Sequence, residues 1–193
     1  MLTREEIIKI FKEKEVMLEG HFLLTSGRHS DKYMQCAKLF QYADTSELVC
    51  KQLAGQFRDK KIDLVAGPAI GGIIMAYEMG RQLGVKNIFA ERENGVMCLR
   101  RGFDVPAGAN VLVVEDVVTT GGSVREVIAL MRENGANVVG VGAVVDRSNG
   151  QVDFGSEFRA VLSMEIKSYD PAECPICGSG LPLVKPGSRK NNP

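Results

Sequence analysis

The chain has 193 residues, 45% of them hydrophobic and 25% charged, the proportions of an ordinary globular protein with a sizeable core. Its 24 basic and 24 acidic side chains cancel, which argues against a whole-surface nucleic-acid binder but leaves room for a locally basic pocket. The longest uncharged run, Leu64 to Tyr77, is short and broken by Gly67, Pro68, Gly71 and Gly72, so no membrane span is expected.

The first stretch, MLTREEIIKIFKEKE, lacks the layout of a signal peptide and reads as an amphipathic helix. Thr3 and Glu6 fit a capping box, and Ile7, Ile8, Ile10 and Phe11 form one apolar side. Residues 1–40 form a segment apart, and EGHFLLTSGRHSDKYMQCAKLF suggests irregular strands and loops. A helix is expected from about Thr45 to Arg58, where Leu48, Val49, Leu53 and Phe57 recur at helical spacing. From residue 62 the pattern alternates. IDLVA (62–66), a helix from about Gly72 to Leu83, NIFA (87–90), a hairpin through 96–103, VLVV (111–114), a helix from Ser123 to Glu133 and VVGVGAVV (138–145) follow in turn. Such alternation predicts a parallel sheet flanked by helices, with an α/β core over 62–150 inside a single domain of residues 1–193. The tail from 185 to 193 is expected to be disordered.

Ligands of an open parallel sheet sit beyond the carboxyl ends of its strands. Four segments are expected there: GPAIGG (67–72), Glu91-Arg92-Glu93, Glu115 to Ser123, and Asp146-Arg147-Ser148. The third carries the most chemistry. Thr119, Thr120, Gly121, Gly122 and Ser123 combine backbone that can approach an anion closely, hydroxyl donors and the start of a helix. The plain alternative is that Ser123 and Glu126 merely cap that helix, yet one cap does not need five small residues in a row. No Walker A pattern exists, and Gly140-Val141-Gly142 lacks the third glycine of a dinucleotide fingerprint. Glu115 and Asp116 precede the cradle and would repel a phosphate unless something lay between. Ribose fits, with hydroxyls that donate to carboxylates and a 5′-phosphate that reaches the cradle. Mg²⁺ nearby would offset negative charge, and the acids could stabilise a cation developing at the anomeric carbon.

VLVVEDVVTTGGS resembles the phosphoribosyl-pyrophosphate (PRPP) motif of the type I phosphoribosyltransferases. FLLTSGRHSDKYMQCAKLF resembles the N-terminal signature of the orotate phosphoribosyltransferases, GPAIGG their pyrophosphate loop, and VVDRS (144–148) the segment whose arginine binds the orotate carboxylate. The resemblance spans about residues 18–150. It implies a type I phosphoribosyltransferase-like parallel sheet with a small N-terminal hood over 1–40. It also implies transfer of ribose 5-phosphate from PRPP to orotate with Mg²⁺, in the service of pyrimidine synthesis.

The roles it implies are these. Glu115 and Asp116 hold the ribose hydroxyls and act in catalysis. The run from Val117 and Val118 through Thr119, Thr120, Gly121, Gly122 and Ser123 binds PRPP. Ala69, Ile70 and Gly71 offer backbone to pyrophosphate. Arg147, Thr119 and Thr25 face orotate. For Arg147, a surface ion pair with Asp146 is the plain alternative. Many family members carry a lysine where this chain has Gly71, and lysines and a histidine in the lid, here Glu93 to Gly108. Arg92, Arg100 and Arg101 could supply that charge. The family's lid often serves the neighbouring subunit's site, which implies a homodimer. No nucleic-acid or membrane partner is expected.

Five cysteines with scattered spacing fit reduced thiols in the cytoplasm. Cys174-Pro-Ile-Cys177 has the spacing of half a zinc site. No second C-x-x-C exists and His21 and His29 are remote in sequence, so the pair reads as a turn of the tail and the histidines as structural. Other ligands could come from Cys36, Cys50, Cys98 or a second copy. Two other functions remain open: transfer to another nucleobase, which Arg147 disfavours, and a PRPP-sensing regulator. For the regulator, only about 20 residues precede the first signature segment and there is no net basic charge.

Overall fold

A computed structural model describes residues 1–24 and 26–186. Thr25 and the tail residues 187–193 lie outside them. Helix α1 (Arg4–Glu13) begins as expected: Thr3 Oγ1 accepts from the Glu6 amide at 3.2 Å, and Glu6 Oε2 accepts from the Thr3 amide at 2.7 Å. The N-terminal segment then forms an antiparallel hairpin, β1 (Met17–Leu23) and β2 (His29–Met34), followed by a 3₁₀ turn, Cys36–Gln41. Helix α2 spans Ala43–Gln56.

The main sheet contains β3 (Leu64–Pro68), β4 (Lys86–Glu93), β5 (Val96–Cys98), β6 (Asn110–Val118), β7 (Asn137–Asp146) and β8 (Phe158–Ser163). Their order is β5-β4-β3-β6-β7-β8, parallel except for β5 at one edge. Helix α3 (Gly71–Leu83) connects β3 to β4, and α4 (Gly122–Glu133) connects β6 to β7. A short final strand, β9 (Leu183–Val184), lies parallel to β1 and completes a separate three-stranded sheet.

Both faces of the main sheet are covered, so its central strands read as unbroken apolar runs rather than alternating ones. Val65, Leu112 and Val144 point to the side packed by α1, α2 and α3. Their neighbours Leu64, Ala66, Val111 and Val113 point to the opposite side, where Val124, Val127, Ile128 and Met131 of α4 meet them. The glycines of β7 have a packing reason. A Cβ on Gly140 would come within 2.8 Å of the Phe57 ring, and one on Gly142 within 3.2 Å of Leu53. The strand is bare there so that α2 can lie against it.

Four expectations need correction. The acid pair does not follow its strand: β6 continues to Val118, so Glu115 and Asp116 are strand residues. Glu91, Arg92 and Glu93 likewise belong to β4. The hairpin is not built within 96–103. Its strands are β4 and β5, joined at Asn94-Gly95, both with positive φ (51° and 84°), a two-residue turn whose twist suits a hairpin. The sheet also does not end near residue 150, because β8 adds a sixth strand.

Replacing Gly140 by valine should force the Phe57 ring aside. Overpacking of this kind costs about 1–3 kcal/mol. Urea unfolding should show that loss, and the double variant Gly140→Val/Phe57→Ala should show a coupling between the two sites instead of simple addition.

Candidate active site

The carboxyl ends of β3, β4, β6 and β7 meet at one edge of the sheet. The segment after β6 is the most open. Helix α4 starts at Gly122, and its N-cap is Gly121, in a left-handed conformation with no side-chain cap. Ser123 therefore sits inside the first turn instead of capping it, and Glu126 takes a hydrogen bond from Arg92 Nη2 at 2.8 Å. The capping-box alternative for Ser123 and Glu126 is thus not what forms. The first-turn amides remain uncapped by any side chain, and an anion is their natural partner. Gly121 is confined by more than its φ of +75°: a Cβ would come within 2.7 Å of Phe154 and 2.9 Å of Val152. Arg125 braces the loop from behind, donating to the Thr120 carbonyl at 2.6 Å and the Asp153 carbonyl at 3.0 Å.

A cavity of about 210 Å³ opens here, lined by Arg92, Glu115, Val117 to Val124 and Glu126. The structure thus brings Arg92 to the cradle. Arg100 and Arg101 are turned elsewhere. Arg101 Nη2 donates to Glu91 Oε2 at 3.1 Å, and Arg100 Nη2 lies 3.5 Å from Glu93 Oε1. Phe103 packs edge-on against Phe89, so the stretch expected to form a lid lies against β4.

The acid pair is half-buried, and among the described residues no lysine or arginine makes an ion pair with it. Burial, then the Asp116 charge, pushes the Glu115 carboxyl up to about 9. Burial also raises Asp116, against hydrogen bonds from Glu115 and the Val117 amide that favour its charged form. The two acids interact directly and titrate as a pair. Asp116 Oδ1 accepts from the Val117 amide at 2.8 Å. Its carboxylate also fills the space beside Gly71, where a Cβ would approach Asp116 Oδ2 to 2.6 Å. This contact shows why a long side chain does not fit at residue 71 beside the acid in this position. Ala69 is held by its amide donating to the Ala90 carbonyl at 2.7 Å, and Ile70 stands exposed at the mouth.

Arg147 leaves β7 with its amide donating to the Val118 carbonyl at 2.8 Å, which ties it to the acid-bearing strand. Its side chain is half-buried, and burial lowers its affinity for a proton. Tyr33 and Cys36 of the N-terminal segment are its electrostatic neighbours. The plain alternative, a surface pair with Asp146, does not form among the described residues. Asp146 instead accepts from the Ser148 amide at 2.8 Å, the Ser148 hydroxyl at 2.6 Å and the Gly150 amide at 3.3 Å. Arg147 Nε is buried without a hydrogen-bond partner among the described residues. Thr25 lies outside those residues. Sequence reasoning missed Arg125, Glu126, Tyr33 and Cys36. Glu126 left a trace in the S-x-x-E pattern that was assigned to a cap, and Tyr33 and Cys36 lie within the signature segment FLLTSGRHSDKYMQCAKLF, but neither was linked to Arg147.

Residues 41–169 match the family model of the phosphoribosyl transferase domain. The chain belongs to the orotate phosphoribosyltransferases. An orotate phosphoribosyltransferase of Caldanaerobacter subterraneus subsp. tengcongensis is 58% identical, covering 98% of this chain and 100% of the relative. One from Chlorobium phaeobacteroides is 54% identical over 98% of each chain. Among solved structures, the orotate phosphoribosyltransferase of Mycobacterium tuberculosis in complex with Fe(III) dicitrate superposes with a TM-score of 0.70 at 25% identity, covering 83% of this chain and 96% of that one. The enzyme from Aeropyrum pernix gives 0.68 at 26% identity, over 82% and 93%.

The acid pair has a consequence for pH. A carboxyl raised in the folded state binds more protons than the unfolded chain between its unfolded value, about 4.5, and its folded value. Its contribution is therefore neutral below that window and destabilises increasingly as pH rises through it. Glu115→Gln should flatten the fall in stability toward pH 9. At that pH its Tm should exceed that of the unsubstituted chain by at least ~2–4 °C, the shift about 1 kcal/mol gives at this size.

Proposed function

We infer that the chain transfers ribose 5-phosphate from PRPP to orotate, releasing pyrophosphate and giving orotidine 5′-monophosphate. The observation that carries this reading is Arg147, a half-buried cation with an unpartnered Nε, held beside the acid pair and the uncapped start of α4. A carboxylated base is the ligand that such a guanidinium lacks, and its planar fork suits bidentate recognition.

Each remaining part then has work suited to its chemistry. The 5′-phosphate takes the amides and hydroxyls of Thr119 to Ser123. Val117 and Val118 line the approach, and Thr119 also reaches toward the base. Glu115 and Asp116 accept the ribose hydroxyls. As the bond from C1 to pyrophosphate breaks, the sugar becomes oxocarbenium-like, and the same carboxylates lie near the growing positive charge. Orotate N1 then bonds to C1 as its proton passes to the departing pyrophosphate, which leaves with the electron pair of the broken C1–O bond. No covalent nucleophile of the protein takes part, so catalysis is positioning and electrostatic stabilisation. Backbone of Ala69, Ile70 and Gly71 receives pyrophosphate.

Mg²⁺ fits this donor set. Two half-buried carboxylates without a basic ion-pair partner among the described residues offer hard oxygen acceptors. Glu115 and Asp116 would hold the ion's waters, and the ion, when bound, would offset the charge of pyrophosphate. Arg92 adds a cation at the cradle. Arg100 and Arg101 would exchange Glu91 and Glu93 for pyrophosphate when the 93–108 stretch closes and excludes water. Thr25 is kept as an orotate neighbour on the resemblance alone.

The working form is a homodimer. Its support is an exposed apolar stripe on α3 and the turn before it, Ile70, Ile74 and Tyr77, next to the pyrophosphate loop. The setting is the cytoplasm, where free thiols persist. No helix among the described residues is long and apolar enough to cross a membrane.

Loss of orotate ultraviolet absorbance with PRPP and Mg²⁺, run beside hypoxanthine, adenine and uracil, tests the reading. Turnover of orotate alone is expected, and turnover of another base in its place would overturn it. Asp116→Asn should lower kcat by at least about tenfold, a loss of about 1.4 kcal/mol of transition-state stabilisation, with an unchanged circular dichroism spectrum. Arg147→Ala should raise KM for orotate far more than KM for PRPP. Equal orotate affinity in that variant would remove Arg147 from the base site.

A further inference from the structure

The sequence separates His21 and His29 from Cys174 and Cys177 by roughly 150 residues, and on that ground the histidines looked remote from the cysteine pair. The fold puts all four together. One ligand atom from each lies within 4.8 Å of every other. His21 Nε2 is 3.0 Å from His29 Nδ1, 3.6 Å from Cys174 Sγ and 3.8 Å from Cys177 Sγ, and Cys177 Sγ is 3.3 Å from His29 Nδ1. Tetrahedral zinc with bonds of about 2.3 Å to sulfur and 2.0–2.1 Å to nitrogen spaces its ligands about 3.3 Å (N to N), 3.6 Å (N to S) and 3.8 Å (S to S) apart. The observed separations scatter around those values.

Hydrogen bonding alone does not account for this cluster. His21 Nδ1 lies 3.2 Å from the Leu181 carbonyl, a bond that requires its proton. Nε2 of a neutral ring then carries one lone pair, yet three polar atoms converge on it. A cation at the centre satisfies all four groups at once. The Leu181 carbonyl then acts as the outer partner that fixes the tautomer of a metal-bound imidazole. His21, His29 and Cys174 are buried and Cys177 is exposed, so an ion can enter from solvent.

We propose that His21, His29, Cys174 and Cys177 bind a structural zinc ion that fastens the C-terminal segment onto the N-terminal hairpin. Two thiolates and two imidazoles select zinc over magnesium or calcium. All four positions are taken by protein, so the site is closed and has no place for substrate. It is independent of the transferase reading.

Its mechanical role follows from what surrounds it. The C-terminal segment already touches both strands of the hairpin. Tyr169 and His29 exchange backbone hydrogen bonds at 2.8 and 2.9 Å, Ser30 Oγ donates to the Lys167 carbonyl, and β9 pairs with β1 at His21 and Phe22. These are short contacts, and β9 has two residues. A metal bridge across so long a loop removes much of the freedom of the open state. The loop between His21 and His29 carries the segment that resembles the family's orotate-side signature, so the ion would hold that loop's two stems.

Elemental analysis of the untagged chain, purified without chelator, should find about one zinc per chain, falling below about a tenth in Cys174→Ser/Cys177→Ser. Cys98→Ser, outside the cluster, should keep its zinc. Because the double variant could fail to fold, the unsubstituted chain supplies a second measurement. Reduced, metal-stripped protein titrated with Co²⁺ should develop intense tetrahedral absorption with thiolate charge transfer at one equivalent, and returning Zn²⁺ should raise its Tm by several degrees. The proposal fails if the purified chain holds no zinc and Co²⁺ gives only a weak octahedral spectrum. It fails equally if the double variant retains zinc, or if the purified chain carries a Cys174–Cys177 disulfide that persists in reducing buffer.

Discussion

The site depends on polar groups that the folded chain leaves without partners. At the carboxyl edge of the sheet, two half-buried acids, their proton affinity raised by burial, have no basic ion-pair partner among the described residues, a half-buried guanidinium has an Nε with no partner among them, and a helix begins without a side-chain cap. Elsewhere the same chain pairs its charges readily. Arg159 holds both Asp59 and Glu157, and Arg81 holds Glu78 and Glu47. A protein that can match charges but does not at one edge keeps local stability in reserve, and a substrate with complementary charges releases it. On the proposed reading, PRPP and orotate together carry the missing parts: anions for the helix start and for Arg147, and hydroxyls for the acids.

Topology explains why these groups meet. Parallel β3, β4, β6 and β7 all end on the same side, so segments far apart in sequence are delivered to one edge. The register does more than gather them. Because β6 continues past the acids to Val118 and pairs there with Asp146 of β7, the acid pair sits within a strand, and Arg147, the first residue past β7, is tied to that strand by its own amide. Groups that must stabilise a short-lived cation gain from this, since a carboxylate on a strand does not have to be reorganised during the reaction. The arginines proposed for the leaving pyrophosphate sit differently. Arg100 and Arg101 lie beyond β5; the Arg100 pair with Glu93 is the exposed kind that costs little to exchange, whereas Arg101 is bound to Glu91, a largely buried carboxylate.

What could be read from the sequence was local. The capping box of α1, the apolar run of β6 and the glycine-rich start of α4 each declare themselves within about ten residues, and each formed. The β4–β5 turn was equally local and was overlooked, although Asn94-Gly95 is a strong two-residue hairpin signal; the charged Glu91-Arg92-Glu93 before it masked the strand. The extent of β6 was not legible, because two acids in a row look like the end of a buried strand, and only the pairing with β7, set by distant residues, carries the strand on to Val118. Strand β8 was not legible either. FRAVLS carries Arg159, whose place at the sheet edge is secured by Asp59, a residue a hundred positions earlier.

The same reasoning separates the two ends of the molecule. The N-terminal hairpin has one antiparallel partner strand, a β-bulge between Glu19 and Phe22, and a two-residue parallel partner contributed by the last described part of the chain. An isolated hairpin is marginal in water, and three strands need a covered face to be stable. Phe22 and Met34 supply some apolar cover, but Ser30, paired with Phe22, and the two histidines are buried polar residues of the same hairpin. Such a sheet is built around polar groups, so its stability rests on how those groups are satisfied. Ser30 is satisfied by a backbone carbonyl. His21 has the Leu181 carbonyl for its Nδ1, but its Nε2 and His29 Nδ1 face each other and two thiols, an arrangement that the proposed cation satisfies at once, and the firmness of the hood would then be set by a site that takes no part in the reaction.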